Sequence, residues 1–144
     1  MLTEVFPIEN LGKKELKLVR QAIRARKRAY APYSKYYVGC ALSDNKGKLH
    51  TGCNVENASY SAAICAERTA IVKMVSRGGK KIYRIVVAAS SEEPVFPCGV
   101  CLQVMAEFGM KADVIAVNKR GTLFRRAQTE TLFPFAFDPD KLGG

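Results

Sequence analysis

Three cysteines in two short segments constrain this chain more than any other feature. Cys65 is followed two residues later by Glu67, and Pro97 directly precedes the pair Cys98 and Cys101. Zinc binds thiolates in a tetrahedral shell, and a site with three protein ligands keeps its fourth position open. A carboxylate next to the first ligand can then take up and release protons for whatever occupies that position. The spacing therefore predicts an open zinc site with an acid–base group beside it.

Both ligand segments are predicted to begin helices. Apolar residues recur at helical spacing over residues 65–76, and residues 98–108 follow Pro97, which suits a first helical turn. Helix N-termini carry about half a positive charge each and free N–H groups, which offset the negative charge of zinc bound by three thiolates. Arg68, one turn after Cys65, is expected to donate hydrogen bonds to the thiolates, although a lone arginine also suits a surface position or a carboxylate partner.

Two further cysteines and Glu67 itself admit other interpretations. Cys53, at the end of a predicted strand, would close the site as a fourth sulfur ligand and make it purely structural. Cys40 is expected to be a buried free thiol, and core packing is the favoured interpretation for Cys53 as well.

Glu67 also admits a second interpretation, because most glutamates on helices are solvated. The position of Glu67 on the same first turn as a ligand nevertheless favours proton transfer, because burial in a closed site raises the pKa of a carboxyl group.

The pattern of the whole chain predicts an α/β fold. Helices that alternate with strands pack on both faces of one sheet. We therefore expect a three-layer α/β/α architecture with a mixed five-stranded sheet, in a single domain over residues 1–144. The predicted elements are a helix over residues 10–31, a hairpin of strands at 38–43 and 49–54, the helix at 65–76, a strand at 82–89, the helix at 98–108, antiparallel strands at 114–117 and 122–126, and a turn or short helix within 132–142.

The chain carries a formal net charge of +10, from 23 lysines and arginines against 13 acidic residues. Such a charge is compatible with a polyanionic partner such as nucleic acid. Many of the cations, however, fall between apolar positions in residues 13–35, as on the solvated face of an amphipathic helix. No RNA-binding motif or basic low-complexity tail accompanies them, so we expect a solvated basic surface and no nucleic acid partner.

Cysteine usage and hydropathy favour a cytoplasmic protein without a membrane anchor. The five cysteines are an odd number, and residues 1–7 lack the basic start and the apolar stretch of a secretory signal. A disulfide framework is therefore not expected, and metal binding in a reducing compartment better explains the clustered thiols. No apolar run approaches the roughly 20 residues that a membrane-spanning helix needs.

In three sequence blocks the chain resembles the cytidine deaminases of the small, homotetrameric, three-cysteine type. The blocks are Thr-Gly-Cys-Asn-Val-Glu-Asn-Ala-Ser-Tyr at residues 51–60, Cys-Ala-Glu-Arg-Thr-Ala at 65–70 and Pro-Cys-Gly-Val-Cys-Leu-Gln-Val at 97–104. The match extends from Ala-Tyr-Ala-Pro-Tyr-Ser at 29–34 to Phe-Asp-Pro at 137–139. Deaminases of other substrates share the two zinc blocks but not the first block, which makes the combination specific.

The resemblance implies roles for the residues of the zinc blocks. Cys65, Cys98 and Cys101 would hold one zinc ion per subunit, Glu67 would shuttle protons, and Arg68 would temper the negative charge of the thiolates. The implied reaction is the hydrolytic deamination of cytidine and 2′-deoxycytidine to uridine and 2′-deoxyuridine, with release of ammonia. Pyrimidine salvage is the implied context.

The resemblance also implies how a nucleoside substrate is bound. Asn54 and Glu56 would hold the ribose 3′-hydroxyl, since an amide and a carboxylate offer a donor and acceptors to a hydroxyl group. Ala58 and Tyr60 would reach the sugar bound by a neighbouring subunit, and Phe137 would cover the neighbour's base. Active sites would therefore be completed only in the homotetramer.

Tyr36 and Ala66 complete the expected set of substrate-binding residues. Ala66 stands between the first ligand and the proton shuttle in sequence. Tyr36 and Tyr37 occupy positions where the family commonly has Phe-Pro, and Tyr36 would still stack on a pyrimidine while adding a hydroxyl group. Leu102 replaces an arginine that often follows the last ligand. These departures concern the shape of the pocket and the subunit contacts rather than the chemistry.

Two other functions remain open at the level of sequence. A deaminase acting on cytosine in single-stranded nucleic acid would suit the basic charge. An internal nucleotide, however, has its 3′-oxygen esterified, so Asn54 and Glu56 argue against that activity. A zinc module that only stabilises the fold or binds a partner would use Cys53 as a fourth ligand and leave Glu67 solvated.

Overall fold

A computed structural model describes residues 4–143 of the chain. The expectation that residues 1–7 hold no secretory signal therefore falls partly outside the described residues. Within residues 4–143, no helix has the length and apolar character needed to cross a lipid bilayer.

The secondary structure consists of six strands, four helices and three short 3-10 turns in the described residues. The elements are β1 (Phe6–Pro7), α1 (Lys13–Arg26), β2 (Val38–Asp44), β3 (Leu49–Cys53), α2 (Ala66–Ser76), β4 (Ile82–Ala89), α3 (Gly99–Phe108), β5 (Asp113–Val117), β6 (Leu123–Gln128) and α4 (Thr129–Leu132), with short 3-10 turns at Ile8–Asn10, Tyr60–Ala62 and Pro139–Leu142.

The strands form one mixed sheet in the order β1-β6-β5-β4-β2-β3. β4 and β5 are parallel, because α3 crosses over between them, and the other neighbours are antiparallel. The sequence predicts five strands, which is one too few. The additional strand, β1, has only two residues, too few to show an alternating pattern, and it pairs Phe6 with Phe124 of β6. The two rings lie 5.7 Å apart between centroids, which favours this short pairing.

Helices cover both faces of the sheet, which confirms the predicted three-layer architecture. On one face α1 packs against the strands, and its buried cluster includes Leu18, Val19, Ala22, Ala41, Val86, Ile115 and Val117. On the other face α2 and α3 pack side by side, and their cluster includes Leu42, Ala70, Ile71, Met74, Ile85, Met105 and Val114. Because α2 and α3 share a face, their N-terminal turns can meet at one end of the sheet.

The first helix is shorter than the predicted range of residues 10–31. It starts after Gly12, whose N–H donates to the Glu15 side chain at 2.7 Å, and it ends at Arg26. Beyond the helix, the N–H of Tyr30 donates to the carbonyl of Asn54 at 2.9 Å, and the N–H of Glu56 donates to the carbonyl of Tyr30 at 2.8 Å. The N–H and carbonyl groups of Tyr30 are used in this pairing and not in further helical hydrogen bonds. The pairing brings the segment before β2 beside the segment after β3.

Gly52 of β3 sets how closely α2 approaches the sheet. A Cβ atom at this position would lie 2.6 Å from the backbone nitrogen of Ala70 and 2.8 Å from the carbonyl oxygen of Ala66. Only glycine leaves room for helix backbone at that distance. The close contact fixes the first turn of α2, and with it the residues that the sequence predicts to bind metal and move protons.

Candidate metal centre and substrate site

The first predicted ligand lies at the start of α2. Cys65 has extended backbone angles and is the N-cap residue of the helix, and its carbonyl accepts the N–H of Thr69 at 3.1 Å. The Thr69 hydroxyl donates to the same carbonyl at 3.2 Å. Two donors on one carbonyl hold the backbone of Cys65 firmly. The helix therefore begins one residue later than the predicted range of 65–76, and Glu67 falls on its first turn.

The second pair of thiols lies at the start of α3 in a matching arrangement. Cys98 is the N-cap residue and accepts the N–H of Leu102 at 2.9 Å through its carbonyl. Cys101 lies on the first turn and is fully buried, whereas Cys98 is exposed. One thiol of the pair thus faces the interior and the other faces solvent, so a bound ion would lie at the boundary between core and solvent.

The two helix starts bring the three thiols together. The Sγ atoms of Cys65, Cys98 and Cys101 all lie within 4.8 Å of one another, and those of Cys65 and Cys98 are 4.0 Å apart. Tetrahedral zinc with bonds of about 2.3 Å separates its sulfur ligands by about 3.8 Å. The donor set and its spacing are therefore compatible with one zinc ion.

The other two cysteines are not part of this cluster. Among residues 4–143, Cys53 does not belong to any group of ligand atoms spaced for a metal ion, although it is half-buried rather than packed in the core. A fourth sulfur ligand from Cys53 is therefore not supported. Cys40 is a buried free thiol, as predicted, and burial raises its pKa well above the usual value. It stays a neutral part of the core.

The environment of Cys65 favours the thiolate form that zinc requires. Hydrogen bonding from Cys101 outweighs the cost of burial and, with help from Arg68 and Cys98, lowers the pKa of Cys65 to about 5. The same interaction with Cys65, together with burial, raises the pKa of Cys101. The thiolate form of Cys65 is thus favoured at neutral pH, whereas Cys101 keeps its proton in the absence of a metal ion.

Arg68 lies where the sequence predicts a donor to the thiolates. Its Nη2 atom is 3.7 Å from Sγ of Cys65 and 3.5 Å from the carbonyl oxygen of Ala63. Its Nε atom is buried and has no hydrogen-bond partner among the described residues. The guanidinium group is therefore committed to the cluster rather than to a carboxylate, and it brings a positive charge to the sulfur atoms.

Glu67 is buried beside the thiols and not solvated. Only 5% of the residue is exposed, and its Oε2 atom accepts a hydrogen bond from Sγ of Cys101 at 3.4 Å. Burial raises the pKa of Glu67, and negative charge on Cys65 acts in the same direction. A carboxyl group with a raised pKa takes up a proton more readily, which suits an acid–base group.

Asn54 and Glu56 both bind the segment that precedes β2. The amide of Asn54 accepts the N–H of Val38 at 2.8 Å and donates to the carbonyl of Tyr36 at 2.8 Å. The carboxylate of Glu56 accepts three hydrogen bonds from Tyr33 and Ser34. Both predicted sugar-binding residues are therefore held in place by contacts with this segment before any ligand binds.

Tyr36 and Ala58 lie on exposed loops, and Tyr60 begins the exposed 3-10 turn Tyr60–Ala62. The hydroxyl of Tyr36 is 3.4 Å from Oγ of Ser91, so the additional hydroxyl group at this position has a partner within the chain. Ala58 is exposed, and Tyr60 is 79% exposed with its ring edge-on to Tyr33 at 6.1 Å between centroids. Most of the Tyr60 ring is therefore open to solvent.

Ala66 and Phe137 have contrasting surroundings. Ala66 is wholly buried at the first position of α2, within the core cluster of that face. Phe137 is 56% exposed in the C-terminal segment, where its carbonyl accepts the side chain of Gln103 at 2.6 Å. α3 therefore carries both the residue that anchors this segment and, at its start, two cysteines of the cluster.

Several polar residues of the site carry no role in the sequence interpretation. Ser34 bonds Glu56, Ser90 accepts the N–H of Tyr37 at 2.9 Å, and Gln103 holds the C-terminal segment. Their importance depends on which loops meet in three dimensions, so no local pattern reveals it. The one available signal is that Ser34 and Gln103 lie within the matched blocks at residues 29–34 and 97–104.

Comparison with known proteins identifies relatives over most of the chain. The family model described as "Cytidine and deoxycytidylate deaminase zinc-binding region" matches residues 12–117. A cytidine deaminase of Sporosarcina psychrophila is 42% identical over 127 residues, which cover 88% of this chain and 93% of the relative. A probable cytidine deaminase of Dictyostelium discoideum is 40% identical over 127 residues, covering 88% of this chain and 85% of the relative.

Solved structures share the same architecture. The crystal structure of cytidine deaminase from Burkholderia pseudomallei superposes with a TM-score of 0.81 at 42% sequence identity, covering 85% of this chain and 98% of that chain. The structure of cytidine deaminase from Mycobacterium tuberculosis gives a TM-score of 0.74 at 32% identity, covering 85% of this chain and 96% of that chain. The fold of this chain is thus the fold of solved cytidine deaminases.

Proposed function

The chain belongs to the cytidine and deoxycytidylate deaminase family, and on that premise we propose that it hydrolyses cytidine and 2′-deoxycytidine to uridine and 2′-deoxyuridine with release of ammonia. One observation carries the proposal. The buried carboxylate of Glu67 lies 3.4 Å from Cys101, in a cluster of three thiols that does not include Cys53. An open metal site with an adjacent acid–base group is what hydrolytic deamination requires.

Cys65, Cys98 and Cys101 would hold one zinc ion per subunit, and the favoured thiolate form of Cys65 and the donor Arg68 support that assignment. When bound, zinc supplies Lewis-acid chemistry that makes water a nucleophile at neutral pH. Arg68 and the two helix N-termini would balance the negative charge of the ligands.

Glu67 would carry both proton transfers of the reaction. It accepts a proton from the attacking water and delivers it to pyrimidine N3 while the new C4–O bond forms. It then takes the proton of the new C4 hydroxyl and gives it to the exocyclic amine, so that the C4–N4 bond breaks and ammonia leaves. The raised pKa and the buried position of Glu67 support this role, because both proton affinity and exclusion of solvent water are needed.

We assign substrate recognition to residues of the segments before β2 and after β3, and to Ala66. Asn54 and Glu56 would bind the ribose 3′-hydroxyl, and Tyr36 would stack on the base. Their fixed positions before ligand binding support this, since an ordered site loses less entropy on binding. Ala66 is fully buried and stands between Cys65 and Glu67 in the sequence. It would act by shaping the substrate pocket next to these two residues.

A homotetramer with shared active sites would place Ala58, Tyr60 and Phe137 on a neighbouring subunit's substrate. The exposed rings of Tyr60 and Phe137 support this assembly, because large aromatic side chains favour burial at an interface. We further propose that residues 1–144 act as a single deaminase domain in cytoplasmic pyrimidine salvage. The five free thiols support a reducing compartment.

The proposed function is tested by the loss of cytidine absorbance on addition of the zinc-loaded protein. We expect turnover of cytidine and 2′-deoxycytidine, loss of activity after treatment with a chelator, and recovery on addition of zinc. A parallel assay on a single-stranded oligonucleotide that contains cytosine is expected to show no deamination. Absence of turnover on both nucleosides would refute the proposal.

A further inference from the structure

The hydroxyl of Ser34 connects two of the residues assigned to substrate recognition. Its Oγ atom donates a hydrogen bond to Oε2 of Glu56 and accepts the N–H of Tyr36 at 3.0 Å. Ser34 lies on the exposed segment between α1 and β2. No other described side chain donates a hydrogen bond to the Glu56 carboxylate.

The hydrogen bonds of Glu56 leave one acceptor position free. Oε1 accepts the N–H groups of Tyr33 at 3.0 Å and Ser34 at 3.1 Å, which occupy both of its lone pairs. Oε2 accepts only the Ser34 hydroxyl among the described residues. One lone pair on Oε2 therefore remains, and the Ser34 hydroxyl is the only group among the described residues that holds Oε2 itself.

The same contacts keep the carboxylate ionised. The hydrogen bond from the Ser34 hydroxyl is the largest influence on the pKa of Glu56 and lowers it, and the backbone N–H groups of Ser34 and Tyr33 add to the effect. An ionised acceptor makes the stronger hydrogen bond with a substrate hydroxyl.

We infer that Ser34 is a positioning residue for the sugar: its hydroxyl holds Oε2 of Glu56 so that the remaining lone pair meets the 3′-hydroxyl of the nucleoside. This inference rests on the proposed function and adds a residue to it. Ser34 itself makes no contact with the substrate. It acts through the carboxylate, so its effect depends on whether the substrate carries a 3′-hydroxyl group.

The second hydrogen bond of Ser34, from the N–H of Tyr36, acts on the base instead of the sugar. Its loss would disturb the segment that carries the Tyr36 ring. That disturbance would affect all cytosine nucleosides equally, because the base is common to them. Comparison of substrates with and without the 3′-hydroxyl therefore separates the two contributions of one side chain.

The test compares cytidine with 3′-deoxycytidine in the wild-type enzyme and in Ser34→Ala. We expect wild type to use 3′-deoxycytidine with a kcat/KM lower by roughly tenfold or more. For cytidine, Ser34→Ala is expected to raise KM by about two- to tenfold, the effect of losing one hydrogen bond, with kcat within about twofold. For 3′-deoxycytidine, Ser34→Ala is expected to raise KM by a clearly smaller factor than for cytidine, because only the effect through the Tyr36 segment remains. Ser34→Thr, which keeps the hydroxyl, should restore the KM for cytidine.

Ser90→Ala is the matched control. Ser90 also supports the segment before β2, through the N–H of Tyr37, but it does not contact Glu56. Any loss in Ser90→Ala should be equal for the two nucleosides. Circular dichroism of each variant confirms folding, which the loss of one serine hydroxyl is not expected to affect.

Three results would overturn the inference. They are an equal loss on both nucleosides in Ser34→Ala, no loss on either, and a wild-type enzyme that does not distinguish the two nucleosides. In each case turnover of cytidine by wild type leaves the proposed function standing. Failure of wild type to deaminate cytidine at all would refute the proposed function, and the inference with it.

Discussion

The Oε2 atom of Glu67 lies 3.4 Å from Sγ of Cys101, although the two residues are 34 positions apart in the chain. The contact exists because α2 and α3 both begin at the same end of the sheet and pack on the same face. It places a buried acid next to a metal-binding sulfur. The proposed chemistry depends on this contact between Glu67 and Cys101 more than on any other.

Glu67→Gln is expected to keep the fold and the zinc content but to lose turnover. Glutamine has the shape of glutamate and cannot accept and release a proton, so kcat should fall by about 100- to 10,000-fold. Steady-state kinetics on cytidine and metal analysis of the same preparation check this. Glu107→Gln changes an exposed glutamate of α3 and should leave activity unchanged. Full activity in Glu67→Gln would refute the role.

Cysteine substitutions separate metal ligands from other thiols. Replacement of Cys65, Cys98 or Cys101 by serine is expected to lower the zinc content after dialysis well below one ion per chain, because a hydroxyl is a poor zinc ligand. Cys53→Ser should retain one zinc ion per chain, since Cys53 is not in the cluster. Loss of zinc from the Cys53 variant would contradict this assignment.

The thiol cluster could be predicted from the sequence because its geometry is largely local. Cys98 and Cys101 are separated by two residues at a helix start, and Cys65 and Glu67 are separated by one residue at the start of another helix. The alternation of helices and strands then required both helices to lie on one sheet. The observed helix ends differ from the predicted ends by a few residues. In α1, for example, Tyr30 pairs with the segment after β3, and the helix ends before it reaches the predicted residue 31.

The partners of Asn54 and Glu56 could not be predicted in the same way. Both residues bond the segment of residues 33–38, about 20 positions earlier, and that contact depends on the return of the chain after β3. The two-residue strand β1 was missed because so short a segment shows no periodicity. Long-range contacts between loops are decided by the packed fold and have no signature in the local sequence.

Gly52→Ala is expected to destabilise the protein and weaken zinc binding together. The added methyl group would lie 2.6 Å from the backbone nitrogen of Ala70, so α2 must move away from β3. Overpacking of this kind costs about 1–3 kcal/mol in the free energy of unfolding. Urea denaturation and a zinc-binding titration measure the two effects. Gly12→Ala is the control for zinc binding, because a Cβ at Gly12 would meet no atom closer than 3.4 Å and would not displace α2. Unchanged stability in Gly52→Ala would contradict the close packing of α2 on β3.

The stability of the protein at acid pH is expected to depend on Asp44. This residue makes a buried contact with His50, the single histidine of the chain. The two side chains are 3.0 Å apart between Oδ2 and Nε2. Burial opposes ionisation of Asp44, but hydrogen bonds from His50, Lys48 and Lys46 outweigh it and lower the pKa of Asp44. The ionised form therefore adds stability that is complete above the unfolded pKa of about 3.9 and is lost as the pH falls through the lower folded value.

Asp44→Asn is accordingly expected to lower the free energy of unfolding by about 1–3 kcal/mol at neutral pH, through hydrogen bonds to a charged group that are no longer made. The difference from wild type should stay constant down to about pH 4 and shrink below it. Urea denaturation across this range measures the difference, with the exposed Asp140→Asn as control. A difference that grows as the pH falls would contradict a lowered pKa for Asp44 in the folded protein.

The open three-thiol site is tested most directly by X-ray absorption at the zinc edge of the zinc-loaded wild-type protein. The ligands Cys65, Cys98 and Cys101 predict a first shell of three sulfur atoms and one oxygen or nitrogen atom. A shell of four sulfur atoms would mean that another cysteine closes the site, and it would contradict the proposed deamination chemistry.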